Sequence, residues 1–154
     1  MDVILAVGGG SVIAFSKAVA AATYYDGDSW DIIANPMAIT NALPVISVTT
    51  IAATDSETDF AAVISNPAKK QKLVTAHPAM TPWAAFMDPV RTYSVSAMQT
   101  SAGAADTMSH ALENYFALPD ESFLPDSIAE SVIKAAVKYA PVALAQPDNY
   151  EARA

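Results

Sequence analysis

Short apolar runs alternate with loop-forming residues in the first half of the chain, a pattern typical of α/β structure. Residues 3–7 are uninterruptedly apolar and are followed by three glycines, so we expect a strand buried on both faces of a parallel sheet. Residues 12–22 are rich in alanine, contain no glycine or proline and predict a helix with Ser11 as its N-cap. The chain is therefore predicted to open as strand, glycine turn and helix.

Four further strands are predicted where Val, Ile, Thr and other apolar residues cluster between proline and asparagine breaks. They are residues 43–50, 61–65, 70–75 and 84–87. Asp26-Gly27-Asp28 and Asn35-Pro36 indicate loops. Several strands interspersed with loops and an early helix favour an α/β portion.

The pattern becomes helical after about residue 95. Ser96 with Gln99 forms a capping box ahead of a predicted helix over residues 98–116, and Ser127 with Glu130 predicts another to about residue 139. Residues 148–154 resemble the start of a further helix. Asp120-Glu121 lies between prolines and is interpreted as a loop with solvated charges. The fold class predicted is an α/β portion, residues 1–94, followed by an all-α portion, residues 95–154.

Composition narrows the class of partner. The 154 residues are 53% hydrophobic and 16% charged, which indicates a globular protein. The net charge of -8 argues against binding to nucleic acid or to an anionic membrane, so a small molecule is expected. No apolar stretch approaches the roughly 20 residues of a membrane span. The chain has no cysteine, which suits the reducing cytoplasm.

The glycine turn is a candidate anion site. Gly8, Gly9, Gly10 and Ser11 stand between a strand and a helix, where backbone N-H groups and the positive helix end can hold a phosphate. The dinucleotide fingerprint would need glycine at Ile13, and a P-loop motif is absent. From these residues alone, a tight structural turn is an equally good interpretation.

Asp106 and His110 are a candidate metal-binding pair. They are four residues apart on a predicted helix, so both project from one face, and a carboxylate with a neutral imidazole suits Fe(II) or Zn(II). A catalytic site needs at least three ligands, and spacing alone favours an ordinary surface pair. His77 is interpreted as a solvated loop residue, and no hydrolase motif is present.

Several motifs together resemble one family. They are Ala6 to Ser11 around the glycine turn, Thr54-Asp55-Ser56-Glu57, residues 62–65, Met87-Asp88-Pro89 and Gly103 to Glu113 around the aspartate and histidine. Over essentially the whole chain this resembles the iron-containing (group III) alcohol dehydrogenases, in the butanol dehydrogenase and broad aldehyde reductase branch. Complete members are more than twice as long, so the chain is interpreted as an internal fragment.

The resemblance implies a Rossmann-like nucleotide-binding domain, of which residues 1–94 are the C-terminal part, followed by the start of a helical metal-binding domain in residues 95–154. This is the dehydroquinate synthase-like architecture. It implies hydride transfer between NAD(P)(H) and an alcohol or aldehyde, with the metal as Lewis acid. The implied cofactor contacts are Gly8, Gly9, Gly10, Ser11, Thr50, Thr54, Ser56, Asp59 and Lys72. Asp106 and His110 match the first two metal ligands, and no catalytic residue beyond the ligands is implied.

The chain departs from the family pattern around the cofactor. Ala14 and Asp59 replace an aspartate and an asparagine, Asp55 replaces a glycine, and Phe60-Ala61 occupies a small, glycine-rich stretch. New anions beside a pyrophosphate predict weakened cofactor binding. Two alternatives stay open, namely a glycerol dehydrogenase-type or dehydroquinate-type member of the superfamily and an inactive or vestigial fragment. An incomplete sheet also leaves an edge that favours association into a homo-oligomer.

Overall fold

The computed structural model describes residues 2–117 and 123–154 of the chain. Contacts divide the chain into two compact units, Met1–Asp88 and Pro89–Ala154. All five strands belong to the first unit, whereas the described part of the second unit is helical. The predicted class, an α/β portion followed by an all-α portion, is therefore confirmed. The predicted loop at Asp120-Glu121 lies outside the described residues.

The first unit contains a small parallel sheet. Its strands are β1 (Ile4–Gly8), β2 (Val45–Thr49) and β5 (Ala84–Met87), in the spatial order β1-β2-β5. Both pairings are parallel, so the carboxyl ends of the three strands meet at one edge. An antiparallel hairpin of β3 (Ala61–Asn66) and β4 (Gln71–Ala76) makes a second sheet. All five strands coincide with predicted segments to within two residues.

Helix α1 (Gly10–Ala22) contributes to both core clusters of the first unit. Its buried positions recur every three or four residues, as expected of one helical face. They are Ile13, Ala14, Lys17, Ala18, Ala20 and Ala21. A short helix, α2 (Ser29–Ala34), was not predicted; the Asp28 carboxylate caps it by accepting from Trp30 N at 2.9 Å. The hairpin packs on both helices, and Thr75 Oγ1 donates to Ile32 O at 3.0 Å.

The expectation that β1 is buried on both faces is wrong. Helix α1 covers the face that carries Ala6 and Val45, and both are buried. On the opposite face Leu5 is 62% exposed and Val7 is 53% exposed. Val7 aligns with Val48 and Phe86 across the three strands, which makes this face apolar. An apolar run shows that a strand can be buried, but burial itself depends on which elements lie against it.

The second unit is built on two long helices, α3 (Ala97–Ala117) and α4 (Phe123–Ala145), with a short α5 (Tyr150–Arg153). The predicted cap of α3 is confirmed, because Ser96 Oγ accepts from Gln99 N at 3.3 Å. The predicted cap of α4 is wrong. Ser127 lies inside the helix and donates to Phe123 O at 2.7 Å, which is the back-bonding that serine makes in a helix interior.

Candidate functional site

The glycine turn joins the end of β1 to the start of α1. Gly9, not Ser11, is the N-cap; its backbone is extended, at φ -82° and ψ -176°, and Ser11 lies in the first helical turn. The Gly9 carbonyl accepts from Val12 N and Ile13 N at 3.0 and 3.1 Å. The amides of Gly10 and Ser11 precede these bonds and have no acceptor within the helix. Since the first turn also carries no acidic residue, the turn can receive an anion.

The segment after β2 lies directly across this turn. Thr50 N donates to Gly8 O at 3.1 Å. A Cβ atom at Gly9 would lie 2.7 Å from Ile51 Cγ2, and one at Gly10 would lie 2.5 Å from Thr54 Oγ1. Only residues without a side chain permit such an approach. The structure thus places Thr50 and Thr54 at the glycine turn.

Ser56 continues the same segment and carries an unsatisfied hydroxyl. Its amide N lies 3.4 Å from Thr54 Oγ1. The residue is only 7% exposed, and its Oγ atom has no hydrogen-bond partner among the residues that the structure describes. A buried hydroxyl is normally paired, so the unpaired Ser56 hydroxyl is an exception in the segment that lies across the turn.

Asp59 is not the bare anion that the sequence suggested. Its Oδ1 atom forms an ion pair with Lys17 Nζ at 2.5 Å and also accepts from Ala61 N at 3.2 Å. Lys17 is fully buried, and its ammonium group donates to Ser56 O and Asp59 O as well, at 2.8 and 3.2 Å. The pairing offsets the negative charge of Asp59, which leaves Asp55, an exposed residue, as the uncompensated change at this loop.

Lys17 was missed from the sequence, although the chain contained a sign of it. The residue lies one turn after Ile13 and Ala14 and just before Ala18. It is therefore a lysine in the middle of the apolar face of α1. A charged residue at such a position is rarely buried unless it is paired. That pattern predicts a buried partner of opposite charge elsewhere in the unit.

Lys72 lies on the hairpin, one residue after the start of β4. It pairs with Ser65 on β3, is exposed, and stands four residues along the strand pair from Ala61 and Ala76. At about 3.3 Å per residue, this is roughly 13 Å of strand.

Asp106 and His110 share one face of α3. Asp106 Oδ1 lies 3.9 Å from His110 Nε2, and the two side chains are 56% and 67% exposed. Two donors at about 2.1 Å from one metal lie roughly 3 Å apart, so a small rotamer adjustment suffices for joint ligation. The oxygen and nitrogen donors suit Fe(II). Within residues 2–117 and 123–154, no group of three or more His, Cys, Asp or Glu is placed to hold a metal.

His77 is half-buried rather than freely solvated. It begins the short 3-10 turn Pro78–Met80, and its Nδ1 atom accepts from Ala79 N at 3.2 Å. This local hydrogen bond explains the position of the His77 side chain in the loop before β5.

None of the helices in the described parts of the chain has the length and apolar character that crossing a membrane requires.

Comparison with known proteins identifies the family. Residues 1–89 match the family model described as iron-containing alcohol dehydrogenase. The chain is 46% identical over 154 residues to the NADH-dependent butanol dehydrogenase A of Clostridium acetobutylicum, covering all of this chain and 40% of that protein. It is 37% identical over 156 residues to the NADPH-dependent aldehyde reductase YqhD of Escherichia coli, covering 98% of this chain and 40% of that protein.

Solved structures agree with the sequence comparison. The crystal structure of an NADH-dependent butanol dehydrogenase A from Thermotoga maritima matches this chain with a TM-score of 0.89 and 40% identity, over 100% of this chain and 38% of that one. The chain thus spans about 40% of the length of the curated relatives that it matches. Since the family model covers more than half of the residues, the chain belongs to the iron-containing alcohol dehydrogenase family.

Proposed function

We propose that this chain carries the dinucleotide-binding turn and two metal ligands of an NAD(P)-linked, metal-dependent alcohol or aldehyde oxidoreductase. The observation that carries the proposal is the start of α1 at the glycine turn, where Gly9 O accepts from Val12 N and Ile13 N. The preceding amides of Gly10 and Ser11 have no acceptor within the helix and can therefore face a ligand. Membership of the family supports the same role.

Residues around the turn would hold the pyrophosphate of NAD(P). The amides of Gly10 and Ser11 donate to an anion, and the positive end of α1 favours its charge. The buried Ser56 hydroxyl supplies a further hydrogen bond that no described residue satisfies. Lys72 is assigned to the ribose region at the far part of the ligand. Asp55 is exposed beside Thr54 and weakens binding through its charge.

Asp106 and His110 would hold the metal in the second part of the chain. When bound, a divalent ion such as Fe(II) supplies Lewis acidity toward the oxygen of an alcohol or aldehyde, and the nicotinamide carries the hydride. Asp106 contributes an anionic oxygen ligand, and His110 contributes a neutral nitrogen ligand. Two ligands retain such an ion poorly. The 154-residue chain by itself is therefore expected to have low metal occupancy and little activity.

The proposal assigns residues 1–94 to the nucleotide-binding domain and residues 95–154 to the helical metal-binding domain. The substrate class is a small alcohol or aldehyde, which the names of the butanol dehydrogenase and aldehyde reductase relatives support. With only two ligands among the described residues, the alternative of an inactive fragment applies to the isolated chain rather than to the family to which it belongs.

The experiment that tests the proposal is a titration of NADH and NADPH into Ser11→Asp and Ser11→Asn variants, followed by nicotinamide fluorescence. A carboxylate about 5 Å from a doubly charged pyrophosphate costs roughly 2–6 kcal/mol at effective dielectric constants between 80 and 20. Ser11→Asp should therefore bind at least about tenfold more weakly than the unmodified chain. Ser11→Asn is the neutral control of nearly the same size and should bind almost as well as serine.

The same substitution should affect stability in the opposite direction. The first turn of α1 has no acidic residue, so an aspartate at position 11 should stabilise the helix by about 0.3–1 kcal/mol through its dipole. Weaker dinucleotide binding with an unchanged or raised thermal midpoint separates electrostatic exclusion from unfolding. Equal affinities of the aspartate and asparagine variants, or no binding of either dinucleotide by the unmodified chain, would overturn the proposal.

A further inference from the structure

Lys17 is a fully buried cation in the first unit, and the described hydrogen bonds of its ammonium group all go to one loop. Its side chain has 0% exposure, and its ammonium group reaches Ser56 O, Asp59 O and Asp59 Oδ1. These three acceptors use the three donors of the ammonium. The loop that they hold also carries Thr54, which lies against Gly10. One side chain therefore connects the interior of α1 to the segment across the glycine turn.

The direction of the lysine side chain explains this reach. Side chains on a helix lean toward its N-terminus, so the ammonium of Lys17 lies about one turn closer to the glycine turn than its own Cα atom. A buried ammonium is stable only where a charge and hydrogen bonds compensate the lost hydration. Among the ionic contacts of the described residues, Asp59 provides that charge.

Position 14 lies on the same helical face, one turn before Lys17. Ala14 is 5% exposed and belongs to the core cluster of the first unit. Residues three apart on a helix are neighbours, so a carboxylate at position 14 would lie beside the Lys17 side chain.

We propose that Lys17 is a positioning residue that fixes residues 54–59 across the glycine turn, and that Asp59 here supplies the charge that a carboxylate at position 14 could supply instead. The loop is then held by an ion pair of the Lys17 ammonium with a carboxylate, which can stand at position 59 or at position 14. The importance of this loop for a dinucleotide rests on the proposed function, whereas the ion pair and the position of the loop do not.

Relocating the charge tests the proposal. Amide hydrogen exchange at Thr58 and at residue 59 is measured without dinucleotide, since both amides bond to Asp55 O, which none of the substitutions replaces. Asp59→Asn should accelerate their exchange roughly 10- to 100-fold, as expected on losing a hydrogen bond to a charged group. Adding Ala14→Asp should return exchange close to that of the unmodified chain. Ala14→Asn in the same background has nearly the same size without the charge and should not.

A general loss of stability is distinguished by a core variant. Ile33→Val removes one methylene group from the buried hydrophobic cluster, at a position on α2 outside the loop. This variant should accelerate amide exchange across the first unit rather than at the loop alone. The proposal is overturned if Asp59→Asn and Ile33→Val give the same distribution of exchange. It is equally overturned if Ala14→Asn restores the loop as well as Ala14→Asp does.

A second comparison remains decisive where a carboxylate at position 14 prevents folding. Lys17→Met, Asp59→Asn and the double variant form a cycle, in which removal of either partner leaves the other group unmatched. The factor by which the double variant accelerates amide exchange should be smaller than the product of the factors for the two single variants. A factor equal to that product would contradict an ion pair. Because no dinucleotide is present, a failed NADH titration would refute the proposed function without deciding this result.

Discussion

Replacement of Gly10 by alanine places a methyl group 2.5 Å from Thr54 Oγ1, 2.7 Å from its Cγ2 and 3.1 Å from its Cβ. Rotation of Thr54 cannot relieve the contact, because two of the three staggered positions on a threonine Cβ always hold a heavy atom. The backbone of the loop must therefore move. Lys17 opposes that movement through its bonds to Ser56 and Asp59.

The cost follows from two opposing terms. Inserting a methyl group into a packed contact destabilises by about 1–3 kcal/mol. Alanine in place of glycine in a helix returns at most about 1 kcal/mol, and less at the first helical residue. We expect a net loss of roughly 1–2 kcal/mol. In a unit of this size, each kcal/mol lowers the thermal midpoint by about 4–8 °C, so the midpoint should fall by roughly 5–15 °C.

Circular dichroism melts of Gly10→Ala, Thr54→Ala and the double variant measure the effect. Thr54→Ala alone, at an exposed residue, should change stability by no more than about 0.5 kcal/mol. It removes both close atoms, so the double variant should recover most of the loss. Gly27→Ala is the matched control, since its Cβ would meet the movable ring end of Tyr25, also at 2.5 Å. A Gly10→Ala melt that Thr54→Ala does not improve would refute the close approach.

Three further outcomes are expected. Asp106→Ala and His110→Ala should each weaken Fe(II) binding in a competition titration while the thermal midpoint stays constant, because both side chains are exposed; unchanged metal affinity would exclude them as ligands. Leu5→Lys, on the uncovered sheet face, should reduce self-association by light scattering without loss of stability, and a fall in the midpoint would show that the face is buried. Thr75→Val breaks the buried bond to Ile32 O and should cost about 1–2 kcal/mol in urea unfolding, whereas a neutral result would deny that the bond contributes.

Elements with a strong local pattern could be predicted from the sequence. The run at residues 3–7 forms a strand as predicted, because it combines valine, isoleucine and leucine and ends at glycines. The exposure of one face of β1 could not be predicted, since burial depends on which other elements pack against the strand. The cap predicted at Ser127 failed for a similar reason. The helix begins earlier, at Phe123, so Ser127 lies inside it and cannot cap its N-terminus.

The candidate site was predictable where it is local in sequence. Gly8 to Ser11 form one continuous turn, and Asp106 and His110 are one helical turn apart, so spacing alone places each set together. The contact of Thr54 with Gly10 joins residues 44 positions apart and was not predicted, since the resemblance implied only that each residue contacts the cofactor. The ion pair of Lys17 and Asp59 spans 42 positions and was missed, because a lysine is ordinarily taken as solvated.

The amide resonances of Gly9, Gly10 and Ser11 in a nitrogen-15 correlation spectrum, recorded as NADH is added, test most directly whether the glycine turn binds a dinucleotide. We expect saturable shifts at these amides and at Thr54 and Ser56, with inorganic pyrophosphate competing for the same resonances. Shifts confined to other parts of the chain, or none at the turn while NADH is bound, would contradict the assignment of this turn as the pyrophosphate site.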